Sequence, residues 1–410
     1  MHLNLKVLIY IVLFLVSNTP KKLLAQVDLP DTTGSPNYKK NQMDISDYVR
    51  LITRKKEKKD TISKKKSLGP FYTPIIYPGY ALVTGFLIGL SNNISFYTHE
   101  GNDAKISNIL IENIYTQYNQ YINMIRSNIW LNHEKYNLLG DCRYYKFPTN
   151  TFGLGSKTSL NDIDPVDFSH LRINEVIMRK MAKNFSAGIG INLDYYWNIK
   201  ETNKLTVLST DFEKYGLESK SLASGLSLNF QYDNRLNSNN PSKGIYANFQ
   251  MINNLKVLGS DNNWQSAILD VRKYIRLSKK SNNILALWTY DWFTLSGTPP
   301  YFDLPCTGWD TYNNVAREYV EARFRGSDLL YAETEYRFQI TKNGFFGGVF
   351  FANASSLTEW PNNKFEKINP GYGAGLRFKI NKSSNSNLAI DYGIGVGGSR
   401  GFSFNLNEVF

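Results

Sequence analysis

Residues 400–410 read Arg-Gly-Phe-Ser-Phe-Asn-Leu-Asn-Glu-Val-Phe, which puts Phe402, Phe404 and Leu406 on one face of a strand and ends on an aromatic residue. A strand of this kind has two faces to cover. A second sheet can cover the apolar face, as in a soluble sandwich; in an outer-membrane β-barrel lipid covers it and the lumen takes the polar side. This segment alone fits either arrangement.

The same alternation recurs upstream. In Gly371 to Ile380, Tyr372, Ala374, Leu376, Phe378 and Ile380 oppose Gly373, Gly375, Arg377 and Lys379. From Leu330 to Ile340, Leu330, Ala332, Tyr336, Phe338 and Ile340 oppose Glu333, Glu335, Arg337 and Gln339. Residues 185–197 set Ala187, Ile189, Ile191 and Leu193 against Ser186, Gly188, Gly190, Asn192 and Asp194, and 222–232 set Leu226, Leu228 and Phe230 against Gly225, Ser227, Asn229 and Gln231. One face suits lipid and the other water. Lys105 to Gln117 and Tyr121 to Asn132 mix both characters on both faces.

Strands are expected near 72–80, 84–97, 105–117, 119–132, 135–147, 168–180, 184–198, 219–233, 243–255, 263–276, 282–296, 328–340, 343–353, 369–380, 386–396 and 401–410. That is about sixteen, an even number, as single-chain bacterial barrels require. Short connections at 133–134, 182–183 and 341–343 interleave with long ones at 148–167, 199–218, 297–327 and 354–368. Short turns belong in the periplasm and long loops outside, which puts both ends of the wall in the periplasm. The expected fold is all-β: a transmembrane antiparallel β-barrel over 68–410.

The remaining chain agrees. No segment beyond the N-terminus offers the ~18 consecutive apolar residues of a spanning helix. Residues 1–25 read as a signal peptide, with Lys6, the apolar core Val7–Val16 and the small residue Ala25. Residues 26–67 carry Arg54-Lys55-Lys56-Glu57-Lys58-Lys59 and Lys64-Lys65-Lys66, a share of the +12 net charge, and are expected to be a flexible basic periplasmic linker. An exported basic run meets acidic lipid headgroups or an acidic periplasmic partner rather than nucleic acid. Two distant cysteines, Cys142 and Cys306, define neither a disulfide framework nor a metal site. His99, His133 and His170 fall in or near connections, with no nucleophile and acid at workable spacing. No catalytic residue, metal or cofactor is expected.

Four stretches resemble the bacterial surface antigen family of outer-membrane barrels, the BamA and TamA assembly family. They are Pro78-Gly79-Tyr80-Ala81-Leu82-Val83-Thr84-Gly85; Tyr232-Asp233-Asn234-Arg235 with Asn240-Pro241-Ser242-Lys243-Gly244; the loop from Pro299 through Ala316-Arg317-Glu318-Tyr319 to Phe338; and the closing strand. The resemblance covers about 70–410. It implies that the long loop folds inward and that its Arg-Gly-aromatic motif, here Arg317, Glu318 and Tyr319, pairs an arginine with an acidic group of the lumen wall. Two departures stand out. Glu318 replaces the glycine, and Asn353 stands where the family carries aspartate, so Glu335, Asp391 or Glu318 is expected to supply the charge a buried Arg317 needs. Terminal Phe410 resembles the family's C-terminal recognition signal.

Family members also carry folded periplasmic client-binding domains before the barrel, and the segment before residue 70 is too short for one, so a separate periplasmic partner is expected to deliver clients. Closure requires the first strand to meet the last. Pro74 and Pro78 remove backbone donors from the first, while Phe402 and Phe404 lie on the last, so a weak seam is expected. The resemblance then implies insertion or translocation of client outer-membrane or surface proteins through that seam. A passive channel or structural barrel is the alternative.

Overall fold

The computed structural model describes residues 42–45, 47, 68–100, 104–202, 209–278, 281–382 and 385–410. Its alternating segments form antiparallel strands: β1 (Phe71–Ala81), β2 (Gly85–Phe96), β3 (Ser107–Thr116), β4 (Tyr121–Leu131), β5 (Tyr136–Lys146), β6 (Thr149–Thr151), β7 (Asp164–Ala182), β8 (Phe185–Glu201), β9 (Lys220–Asp233), β10 (Gly244–Asn254), β11 (Trp264–Arg276), β12 (Ile284–Gly297), β13 (Asp328–Gln339), β14 (Phe346–Glu359), β15 (Lys364–Phe365), β16 (Asn369–Asn381), β17 (Ser386–Gly395) and β18 (Arg400–Leu406). Sixteen make the wall. Short β6 and β15 pair only with the outer ends of β7 and β14. Each wall strand pairs with the next from β1 to β18, giving a nearly closed antiparallel barrel.

Period-two patterning sets the faces. Ile189, Ile191, Leu226, Leu228, Phe350, Tyr372, Phe402 and Phe404 point out, where only lipid can cover them. Glu333, Glu335, Arg337, Arg377 and Asp391 point in and are buried. The mixed strands β3 and β4 have a local cause: Ile114, Ile122 and Met124 face inward and join the buried apolar cluster that includes Phe302 and Val315 of the long loop. Their inner face meets protein rather than water.

The wall departs from the sequence reading in three places. β7, β8 and β14 run beyond their expected outer ends, and with the helix α1 (Asp211–Tyr215) they roof the lumen over Phe212. The first periplasmic connection, 97–106, is long while the external turns 82–84, 117–120 and 396–399 are short, and the periplasmic connection 234–243 is about as long as the external 255–263, so the alternation of loop lengths holds only in part of the wall. The last strand stops at Leu406 rather than running to 410. Asn407 takes a left-handed φ of 74°, which its short polar side chain tolerates, and Val409 and Phe410 turn into the lumen at 3% exposure. There Phe410 packs on Trp288, ring centroids 5.0 Å apart.

The expected signal segment 1–25 and the lysine clusters of the expected linker lie outside the described residues. Of the linker, Asp44 and Asp47 touch the periplasmic rim: Lys382 N donates to Asp44 Oδ2 (3.1 Å) and Lys382 Nζ to Asp47 Oδ2 (2.7 Å).

The face assignment predicts unequal responses to one charge. Leu228→Arg, on the lipid side, should destabilise the barrel in liposomes by about 2–4 kcal/mol, whereas Gln250→Arg, on the water side, should change it little. Urea unfolding followed by heat-modifiable gel mobility measures both. Equal losses would contradict the assignment.

Candidate functional site

Arginine keeps its charge when buried, so a lumenal arginine must find carboxylates. The loop after β12 turns inward through residues 298–327 and carries Arg317, 5% exposed, onto the inner faces of β13, β14 and β17. Its Nη2 donates to Glu335 Oε1 (2.7 Å), Nη1 lies 3.0 Å from Glu333 Oε1 and Nε lies 3.3 Å from Asp391 Oδ2. The guanidinium also stacks over Phe351, 3.8 Å from the ring centroid. Burial works against the charged guanidinium, but Glu333, Asp391 and Glu335 outweigh it and hold the group protonated.

The charges continue past Arg317 into a ring. Glu335 Oε2 lies 2.6 Å from Arg337 Nη2, Arg337 Nε 3.7 Å from Glu408 Oε2, and Glu408 Oε2 2.7 Å from Arg377 Nε. Arg377 Nη1 then lies 2.5 Å from Asp391 Oδ1, which closes the circuit on Arg317. Three guanidinium groups alternate with three carboxylates. Glu408 comes from the inward tail, which is fastened further by Arg337 Nη2 donating to Phe410 O (2.9 Å) and by loop residue Asn314 Nδ2 donating to Val409 O (2.8 Å).

The other motif residues complete the dock. Glu318 is fully buried, and Asn353 Nδ2 donates to its Oε2 (3.0 Å). Asn353, at the position where the family carries the arginine's acidic partner, thus turns to Glu318 instead, while Glu333, Glu335 and Asp391 surround Arg317. Burial raises the Glu318 carboxyl above its usual range, against the partial opposition of that hydrogen bond. The positive φ that glycine would have permitted appears two residues earlier, at Ala316 (58°). Tyr319 OH donates to Pro370 O (2.7 Å) and accepts from Val396 N (2.9 Å), and burial pushes this phenol up to about 12. The wall makes room with glycine: a Cβ at Gly393 would lie 2.6 Å from Glu318 Cβ.

Inner-face parity in 330–340 already marked Glu333 and Arg337 as lumenal. Glu408 falls in the expected last strand, where its parity with Phe402, Phe404 and Leu406 would put a carboxylate on the lipid face; that break in the pattern is the one signal for it.

The seam is the second candidate. Among the described residues no ladder joins β1 to β18. Phe86 of β2 accepts from Gln117 N (2.7 Å) and donates to Gln117 Oε1 (3.1 Å), so both its backbone groups face β3. Its partner Tyr80 is therefore in a non-hydrogen-bonded pair of the β1–β2 ladder, and the even-numbered residues of β1 turn their backbone toward the seam. Of these, Pro74 and Pro78 have no N–H to offer. On the other side Asn407 N bonds Asn387 O and Gly395 N bonds Ser399 O, which leaves Arg400, Phe402, Phe404 and Leu406 facing the seam with donors and acceptors intact. At the outer end Leu82 fills the space beside Gly401, where any Cβ would collide with it.

Elsewhere His170 Nε2 lies 2.8 Å from Asp194 Oδ1 and stacks on Tyr196. No cluster of metal-ligating side chains occurs among the described residues.

The Omp85 superfamily domain matches residues 88–410. Two solved structures share the fold. One is BamA from Haemophilus ducreyi lacking POTRA domains 1-3, with TM-score 0.57 and 13% identity over 83% of this chain and 70% of that one. The other is CdiB from Acinetobacter baumannii, with TM-score 0.51 and 12% identity over 82% of this chain and 60% of that one. No curated protein matches the sequence.

Two substitutions probe the dock. Arg317→Met strands buried carboxylates and should cost about 3–5 kcal/mol in barrel unfolding, with Arg317→Lys in between. Since burial raises the Glu318 carboxyl, the folded state binds its proton more tightly than the unfolded state, and this group's contribution falls as pH rises above 4.5. Glu318→Gln should therefore gain stability relative to the wild type between pH 5 and pH 8; a constant difference across that range would contradict the assignment.

Proposed function

Since this chain belongs to the Omp85 superfamily of transport and assembly barrels in the bacterial outer membrane, we propose that it assists insertion or translocation of outer-membrane or surface proteins through the β1–β18 seam. The observation that carries this reading is the open seam between two strands of unequal bonding power. An unpaired edge templates an incoming strand by main-chain hydrogen bonding. β18 offers four residues with both donors and acceptors, whereas β1 offers donors only at Tyr72, Ile76 and Tyr80 among its seam-facing residues. The client strand accordingly pairs with β18, and β1, weakened by Pro74 and Pro78, is the side that gives way. Phe410 serves as this chain's own recognition signal during assembly and folds inward once the wall has formed.

The clamp around Arg317 supports the same reading. With the loop and the tail both fastened inside, the lumen stays plugged while the seam moves, so opening need not leak solutes. A passive channel would require loop 298–327 to leave the lumen. A separate periplasmic partner would deliver clients, and the basic stretch 54–66 of the sequence would meet acidic lipid or that partner.

A disulfide across the outer seam tests the proposal. In a Cys142→Ser background, Leu82→Cys with Gly401→Cys should lock β1 to β18. Depletion of the protein should lower the folded amounts of client outer-membrane proteins; the reduced variant should restore them and the oxidised variant should not. A photo-crosslinker at Phe404 should capture clients more than one at Ile76. Equal rescue by the locked barrel would overturn the reading.

A further inference from the structure

The clamp draws the long loop toward β13–β18 and leaves a chamber of about 170 Å³ along the opposite wall. It follows the inner face of β10 from Tyr246 near the periplasmic end to Asn254 near the outer end. Its lining combines the rings of Trp264, Trp292, Trp309 and Tyr290 with the amides Asn192, Asn248 and Gln250, beside the ionisable Asp141, Arg172, Asp194, Asp270 and Asp303. Its charges cancel locally. Arg143 pairs with Asp141, Arg172 with Asp194 and Arg272 with Asp270, at 2.6 to 2.7 Å.

What remains uncommitted is neutral hydrogen-bonding capacity. Trp264, Trp292 and Trp309 are 5–7% exposed, and their indole Nε1 atoms have no hydrogen-bond partner among the described residues; Asn192 Oδ1, Ser266 Oγ and Asp303 Oδ2 are in the same state. Burial raises the Asp303 carboxyl well above its usual range. Buried polar groups of this kind are stable only with partners. Aromatic faces beside mixed donors and acceptors, without net charge, suit a ligand that has apolar C–H faces and a rim of hydroxyls.

We propose that this chamber binds a neutral saccharide, with one sugar ring stacked among Trp264, Trp292 and Trp309 and its hydroxyls meeting the free indole and amide groups. The compensated charges select against anionic sugars, whose carboxylate would find no unpaired guanidinium. The site is separate from the seam, and binding there does not require the seam to open.

The full-length protein, folded in a zwitterionic detergent that carries no sugar headgroup, is titrated with glucose, N-acetylglucosamine, maltose, cellobiose and glucuronate while tryptophan fluorescence is read. At least one neutral sugar should give a saturable change, and glucuronate should bind at least tenfold more weakly. Trp292→Phe, which keeps a ring but removes the N–H, and Asn192→Ala should each weaken binding at least fivefold while heat-modifiable mobility remains that of the folded barrel. No saturable change with any neutral sugar, equal binding of glucuronate, or unaltered binding by both folded variants would overturn the proposal. Rescue of client assembly by a variant that no longer binds sugar would leave the seam reading intact and so separates the two.

Discussion

The ring of alternating charges formed by Arg317, Glu335, Arg337, Glu408, Arg377 and Asp391 is the constraint on which the rest of the lumen depends. The side chain of each member is nearly inaccessible, and removing any charge from water is costly unless an opposite charge and good hydrogen bonds replace the solvent. Closure into a circuit gives every guanidinium two carboxylates. Because the members come from the loop, from β13, β16 and β17, and from the tail, the ring ties three separate parts of the chain to one place. Apolar packing of Phe302 and Val315 also holds the loop inside, but it is not directional, so these charge pairs specify where the arginine end of the loop rests.

That placement divides the barrel into unequal sides. The wall from β13 to β18 is braced from within by the loop, the tail and Phe410 against Trp288. Among the described residues β1 has only β2 as a ladder neighbour, and its prolines fall on the residues whose backbone faces the seam. A strand held on one side can swing without disturbing the charge ring, which keeps the plug in place while the wall opens. Leaning the loop to one side also leaves room along β8 to β12, where the inner face carries aromatic rings and amides that the loop does not cover.

Much of this was legible in the sequence because a membrane wall imposes a period of two on nearly every strand. Ile189, Leu228, Tyr372 and Phe404 had to face lipid, and Glu335, Arg337 and Arg377 had to face inward, once the alternation was recognised. The resemblance of the loop brought Arg317 into view. What stayed hidden depended on partners distant in sequence. Ile114, Ile122 and Met124 look like lipid-facing residues until the long loop supplies an apolar neighbour inside the barrel. Glu408 falls in the expected last strand although parity would set its carboxylate on the lipid face beside Phe404 and Leu406, and the partners that receive it inside, Arg337 and Arg377, lie far away in sequence. Asn353 occupies the family's position for an arginine partner, yet Glu333, two residues from Glu335 on the same face, takes that place.

Residue-resolved amide exchange on the folded barrel tests the central division between a braced wall and a free edge most directly. The account predicts that the amides of Tyr72, Ile76 and Tyr80 in β1 and of Phe402, Phe404 and Leu406 in β18 exchange rapidly, while those of β13, β14 and β16 and of the loop around Arg317 remain protected far longer. Protection of the β1 and β18 amides equal to that of β13 would show a sealed seam and contradict it.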